Sequence, residues 1–170
     1  MTAIPTLTTE RLILRPPVLA DYPAYAEFLA SPRSQYMGGP CQGFRAWGMF
    51  CHDLVCWQLF GHGGLMIDLR KSNQCVGQVG INHGPEFPEK ELGWLLYEGF
   101  EGRGYAIEAA RALRDWAWTV LKLPTLVSYV DPANLPSIAV AERLGAMRDN
   151  HAARQDPEDL VFRHSPETLW

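Results

Sequence analysis

Between Tyr97 and Ala106 the chain leaves a strand-like apolar run, crosses a loop carrying Gly99, Gly102 and Gly104, and enters a long helical pattern. From there Ala106, Ala109, Ala110, Leu113, Ala117, Val120 and Leu121 recur at helical spacing over about five turns, until Pro124. Residues 126–130 then read as a compact strand. A strand, a helix and a strand in that order make a right-handed crossover, which sets the two strands parallel or nearly so. The rest of the chain must be arranged around that unit.

Residues 9–15, an apolar run flanked by charge and closed by Pro16-Pro17, fit an opening strand. Asp21 is placed to cap a helix reaching about Leu29, with Tyr22, Tyr25, Ala26 and Leu29 on one face, and Ser31-Pro32 breaks it. Residues 34–64, rich in glycine, aromatic residues and cysteine, are the hardest to read; a helix over 44–57 fits them. Residues 64–69 and 75–81 are strand-like, and the polar stretch 70–74 suits a hairpin turn. A proline-containing loop over 84–88 leads to a further strand at 91–97. Downstream, Asp131-Pro132-Ala133 reads as a turn. Asn134 is placed to cap a second helix with Ile138, Ala141 and Leu144 on its apolar side, and Gly145 fits a left-handed C-terminal position. Residues 159–163 form a last strand. The reading is an α/β chain with a mixed sheet and helices on both faces. No repeat, low-complexity tract or long linker divides it, and 170 residues suit one domain over 1–170.

The formal net charge of −4 argues against a nucleic-acid binder that relies on a broad basic surface, while leaving room for a local cationic pocket. The start, Met1-Thr2-Ala3-Ile4-Pro5, lacks a basic segment followed by an apolar one, and no run approaches the ~18 apolar residues of a membrane span. A cytoplasmic protein without membrane contact is the expectation. The cysteines, Cys41, Cys51, Cys56 and Cys75, form no C-x-x-C pair and match no common zinc spacing. Buried free thiols are the better reading, a partial metal site at Cys51-His52 and Cys56 the weaker one, and no metal is expected.

The glycine loop is an anion site in physical terms. Glycines let the backbone approach a phosphate, the first N–H groups of a helix lack acceptors, and the helix dipole favours negative charge there. Arg103 adds a guanidinium suited to bidentate phosphate contact. A plain glycine-rich turn into a core helix is the competing reading. A P-loop is excluded because Tyr105, not Lys, follows Gly104, and the dinucleotide G-x-G-x-x-G spacing is absent.

Four stretches together resemble a family: Glu91-Leu92-Gly93-Trp94; Gly102-Arg103-Gly104-Tyr105-Ala106-Ile107-Glu108-Ala109; Asn134-Leu135-Pro136-Ser137; and Glu142-Arg143-Leu144-Gly145-Ala146. They are similar to the GNAT N-acetyltransferases, and with Thr9-Glu10-Arg11-Leu12-Ile13-Leu14-Arg15 to the RimJ/RimL-type branch, which includes enzymes acetylating protein α-amino groups. The resemblance implies a single GNAT-like domain with a mixed, mostly antiparallel sheet and one splayed strand pair. It also implies acetyl-CoA as acyl donor and direct transfer to a primary amine, either a protein N-terminus or a small molecule, with no acyl-enzyme. A homodimer is compatible with it. A non-catalytic acyl-CoA-binding module on the same fold is the alternative.

By that resemblance, Gly102, Arg103, Gly104, Tyr105 and Ala106 would hold the pyrophosphate, with Glu101 standing where the family usually has Gln or Arg. Backbone N–H groups of Trp94, Leu95 and Leu96, on the splayed strand, would polarise the acetyl carbonyl and meet the pantetheine arm. Asn134 would contact the pantetheine and Ser137 would lie near the thiol sulfur; their competing roles are helix cap and first-turn residue. Glu91 is the first candidate for general base, with His83 and Glu86 behind it. Tyr129 would line the acceptor channel or the core. The aromatic segment 36–60, with Trp47 and Trp57, occupies the place of the acceptor pocket.

Overall fold

The computed structural model describes residues 3–166, and in it the apolar runs pair into an eight-stranded sheet. Its strands are β1 (Leu7–Thr8), β2 (Leu12–Arg15), β3 (Gly64–Leu69), β4 (Cys75–Gly84), β5 (Phe87–Leu96), β6 (Leu126–Val130), β7 (Met147–Arg148) and β8 (Leu160–His164). They lie side by side in the order β1-β2-β3-β4-β5-β6-β8-β7. Every neighbouring pair is antiparallel except β5 with β6. The helices are α1 (Tyr22–Ala30), α2 (Gly43–Phe60), α3 (Tyr105–Thr119) and α4 (Leu135–Arg143). Helix α3 makes the crossover that the strand–helix–strand order demands.

Side chains alternate across a strand, so the register decides what each face carries. One face presents Leu12, Leu14, Leu65, Ile67, Val79, Ile81 and Leu92, all fully buried against Ala109, Ala110, Leu113 and Ala117 of α3. The alanines let the helix sit close. Each of those buried aliphatic side chains is worth about 1.5–3 kcal/mol, so this layer carries much of the stability.

The opposite face is different. In register it shows Gly64, Met66 and Asp68 on β3, Gln78, Gly80 and Asn82 on β4, and Glu91, Gly93 and Leu95 on β5. Helices α1 and α2 cover part of it through Tyr25, Phe28, Leu29 and Phe50, packed with Leu95. Gly64 allows this closeness, since a Cβ there would lie 2.9 Å from the Cβ of Asp53. The uncovered part is polar.

Several boundaries differ from the sequence expectation, each for a local reason. Strand β5 starts at Phe87, not 91, because Pro85-Glu86 makes a tight turn. The register then shifts between Asn82 and Gly84, leaving Pro88, Glu89 and Lys90 opposite one β4 residue. Such a bulge accommodates a proline. Helix α3 stops at Thr119, leaving Val120 exposed: Lys122 turns left-handed (φ 56°) and the Leu123 N–H closes on the Ala117 carbonyl at 3.2 Å. Asp21 makes no side-chain cap to α1. Its carboxylate accepts instead from Arg15 (2.7 and 2.8 Å) and the Val18 N–H (2.8 Å). The two-residue strands β1 and β7 are too short to leave a periodic trace. All four cysteines are free thiols; Cys41 and Cys56 are buried, but Cys51 and Cys75 only half so.

Candidate active site

Strands β5 and β6 share a single rung, Glu91 with Val127, and diverge beyond it. Backbone direction on β5 follows from its neighbours. The Tyr97 N–H donates to Val76 on β4 (2.8 Å), whereas the Leu92 carbonyl accepts from Ser128 on β6 (2.6 Å). By alternation Trp94 and Leu96 aim their N–H and C=O groups into the opening, and Leu95 aims its own at β4. Of the three residues named from the resemblance, two therefore have amides facing the splay. The side chain of Leu95 packs under α1 and α2.

The fork is clamped at its base. Ser128 donates its one hydroxyl proton to the Leu92 carbonyl and lies 2.9 Å from His164 Nε2, so that nitrogen carries a proton and donates. Burial holds the His164 imidazole down to about 4 and therefore neutral.

The splay opens into a cleft of about 900 Å³ whose lining includes Asn82, Glu91, Trp94, Tyr129, Asn134 and Ser137. Glu91 Oε2 accepts from Asn82 Nδ2 at 3.0 Å. Burial pushes the Glu91 carboxyl up to about 7; bonds from Asn82 and the Tyr129 backbone pull it down, while Asp159 and Asp53 push it further up. Beside it on α2, Asp53 accepts from the Tyr25 hydroxyl (3.3 Å) and raises His52 to about 10, with Cys56 adding to the effect. The cleft is also lined by Glu86, Asp131, Asp156 and Asp159, so carboxylates outnumber its cations, Arg45 and His52.

The other base candidates stand apart from this carboxylate. His83 packs edge-on against Phe60, 4.9 Å between ring centres, and is absent from the cleft lining. Glu86 sits exposed at the mouth, 3.3 Å from Gln155 Nε2. The Tyr129 hydroxyl is engaged, accepting the Glu89 N–H at 3.0 Å. Of the aromatic segment, Tyr36 lines the cleft, but Trp57 is core: its indole N–H donates to the Gly64 carbonyl at 2.8 Å. Trp47 packs on Tyr22, ring centres 4.9 Å apart. Among the described residues no three His, Cys, Asp or Glu side chains gather as cation ligands.

Outside the cleft, the loop into α3 has the form of an anion cradle. Gly102 and Gly104 take left-handed conformations (φ 72° and 79°), and Gly104 opens α3 with no side-chain cap, so no capping side chain accepts from the first-turn N–H groups. Arg11 braces the loop by donating to the Arg103 carbonyl (2.8 Å), pairing with Glu108 (2.6 Å) and lying over the Tyr105 ring (4.8 Å). The Arg103 side chain is exposed and, among the described residues, has no carboxylate partner. Glu101 is not unpaired: it accepts the Gly99 N–H at 2.9 Å and forms an ion pair with Arg33. Free donors, glycine at the helix start and a nearby guanidinium fit a pyrophosphate.

Across the splay, Asn134 caps α4 through its side-chain oxygen, accepting the Ser137 N–H at 3.3 Å. Its amide nitrogen remains able to donate toward the cleft. No sequence pattern marks Asn82, Asp53, Ser128 or Arg33, and His52 stands out there only beside Cys51 and Cys56 as a partial metal site, not as part of this cleft. Asn82 was within reach, because extending the strand at 75–81 by a single period-two step puts it on the same face as Gln78 and Gly80.

Comparison with known proteins identifies the family and the fold. The model of the acetyltransferase (GNAT) domain family matches residues 11–147, and the chain belongs to that family. Its chemistry is acetyl transfer. An uncharacterized N-acetyltransferase p20 of Bacillus licheniformis is 29% identical over 161 residues, covering 88% of this chain and 89% of that protein. The crystal structure of an acetyltransferase from Agrobacterium tumefaciens is 65% identical, superposes with a TM-score of 0.93 and covers 96% of both chains. The RimJ protein of Mycobacterium smegmatis, solved in complex with a CoA disulfide, shares the fold at 21% identity, with a TM-score of 0.70 over 93% of this chain and 83% of that one.

Proposed function

We propose that the protein transfers acetyl from acetyl-CoA directly to a cationic primary amine, and that Glu91 takes the amine's proton. The observation that carries this reading is the carboxylate of Glu91 at the fork of the splayed strands, raised to about 7 inside an acidic cleft. A base poised near neutrality is matched to deprotonating an ammonium at working pH. The surrounding carboxylates favour an acceptor that arrives charged and bring it close to Glu91.

The bound thioester supplies the acyl group and a thiolate as leaving group. Trp94 and Leu96 aim their backbone N–H groups at the opening and serve as donors to the carbonyl oxygen as it gains charge. Ser137 offers its hydroxyl to the departing sulfur, and the Asn134 amide nitrogen donates to the pantetheine. Gly102, Arg103, Gly104, Tyr105 and Ala106 take the pyrophosphate on backbone amides and one guanidinium. The acceptor is a protein N-terminus or a small amine; the acid-lined cleft favours those carrying further positive charge.

The test is thiol release from acetyl-CoA over a panel of polyamines, amino acids and N-terminal peptides of graded charge. Turnover rising with acceptor charge is the expected result. A flat or reversed order removes the cationic-acceptor reading, and no release with any amine removes the assignment of this cleft.

A further inference from the structure

The short turn Pro32–Met37 spans the two lips of the splay. At one end Arg33 Nη2 donates to the Leu96 carbonyl at 2.9 Å and pairs with Glu101 on the glycine loop. At the other, the Tyr36 hydroxyl donates to the Ala133 carbonyl at 3.5 Å, next to Asn134. The turn is firmly built. Ser34 is fully buried and donates to the Leu29 carbonyl at 2.8 Å, and any Cβ on Gly39 would lie 2.0 Å from its hydroxyl oxygen.

Glu101 poses an electrostatic problem. It places a carboxylate in the loop that receives a multiply charged anion, where like charge opposes binding. Arg33 comes from a distant part of the chain to meet that carboxylate. Both side chains are well exposed (36% and 43%), and exposed pairs of this kind contribute little to stability. Stability alone does not account for the pair. Charge at the mouth of an anion site does.

We propose that Arg33 is a built-in counter-ion of the cofactor site. It cancels the charge that Glu101 brings to the loop, and through the Leu96 carbonyl it fixes the turn to the rim of the splay. This rests on the reading that residues 101–106 hold the acetyl-CoA pyrophosphate. Arg33 is thus a positioning and charge-balancing residue, while Arg103 is the cation free to contact phosphate.

The test is calorimetric titration of acetyl-CoA into the parent, Arg33→Ala, Glu101→Gln and the double variant, at low and high salt, with thermal unfolding of each. The expected result is a roughly tenfold weaker binding for Arg33→Ala, shrinking at high salt. The double variant recovers most of that loss. Parent-like binding by Arg33→Ala, or a loss that Glu101→Gln does not restore, overturns the proposal while leaving the loop assignment intact. A lowered unfolding temperature without rescue of binding assigns Arg33 a merely structural role and also overturns it. Failure of the parent to bind acetyl-CoA overturns the loop assignment and the proposal together.

Discussion

The carboxylate of Glu91 and the carboxamide of Asn82 meet across β5 and β4, Oε2 to Nδ2 3.0 Å, on the polar face of the sheet. The bond orients the carboxylate while the surrounding burial keeps its affinity for a proton high.

The acceptor kcat/KM should therefore rise with pH through about 7 as Glu91 ionises, and Glu91→Gln should lose that limb with a fall of about 10²–10⁴ in turnover. Stability should move the other way. The folded pKa lies above the ordinary 4.5, so the contribution of Glu91 is full below 4.5 and is lost as pH rises through about 7. Glu91→Gln should unfold at a higher temperature than the parent at pH 8 and at a similar one at pH 4. Calorimetric scans at the two pH values decide it.

Gly93 lies on the same face, and a Cβ there would sit 3.6 Å from Asn82 Nδ2 and 3.8 Å from Glu91 Oε2, ordinary contact distances. Gly93→Ala should fold as well as the parent, gaining about 0.4–1 kcal/mol from a stiffer unfolded chain. The added methyl crowds the amine against Glu91, so the acceptor KM should rise while the acetyl-CoA KM holds. Steady-state kinetics in both substrates reads the split.

Arg103 and Ser137 should separate in the same measurement. Arg103→Ala removes a guanidinium from the loop and should raise the acetyl-CoA KM roughly tenfold with kcat little changed. Ser137→Ala should lower kcat and leave the acetyl-CoA KM near the parent value. Parent-like kinetics in both variants would retract both assignments.

His164 sets an acid limit on the fold. Its folded pKa is depressed to about 4 from 6.5, first by burial and then by Arg114. The stability it contributes is full above 6.5 and declines as pH falls toward about 4, because over that window the unfolded imidazole takes up a proton that the buried ring does not. His164→Gln should flatten the pH dependence of urea midpoints in that window, though with a lower midpoint at pH 7.

Much of this was legible in the residues. The period change at Gly104 located the crossover, Asn134 and Gly145 marked both ends of α4, and residues 126–130 matched β6 without adjustment. What escaped has physical causes. Pro88 reads as a loop because a bulge in β5 hides a strand that continues past it. Asp21 reads as a cap, but Arg15 and the Val18 N–H compete for its carboxylate and win. Glu101 looked like a misfit because its partner Arg33 lies 68 positions earlier, where no local pattern reveals the pairing. Glycine, a free arginine and the fork strand were visible; the charges that balance them were not.

The two faces of the sheet imply an unequal tolerance to change. A substitution on the α3 side disturbs a dense aliphatic layer and is opposed by the whole fold. On the other side, Gly80, Asn82, Glu91 and Gly93 line a space whose shape the core does not need. On the proposed reading, a few changes on β4 and β5 can therefore alter which amine is accepted while the fold stays as it is.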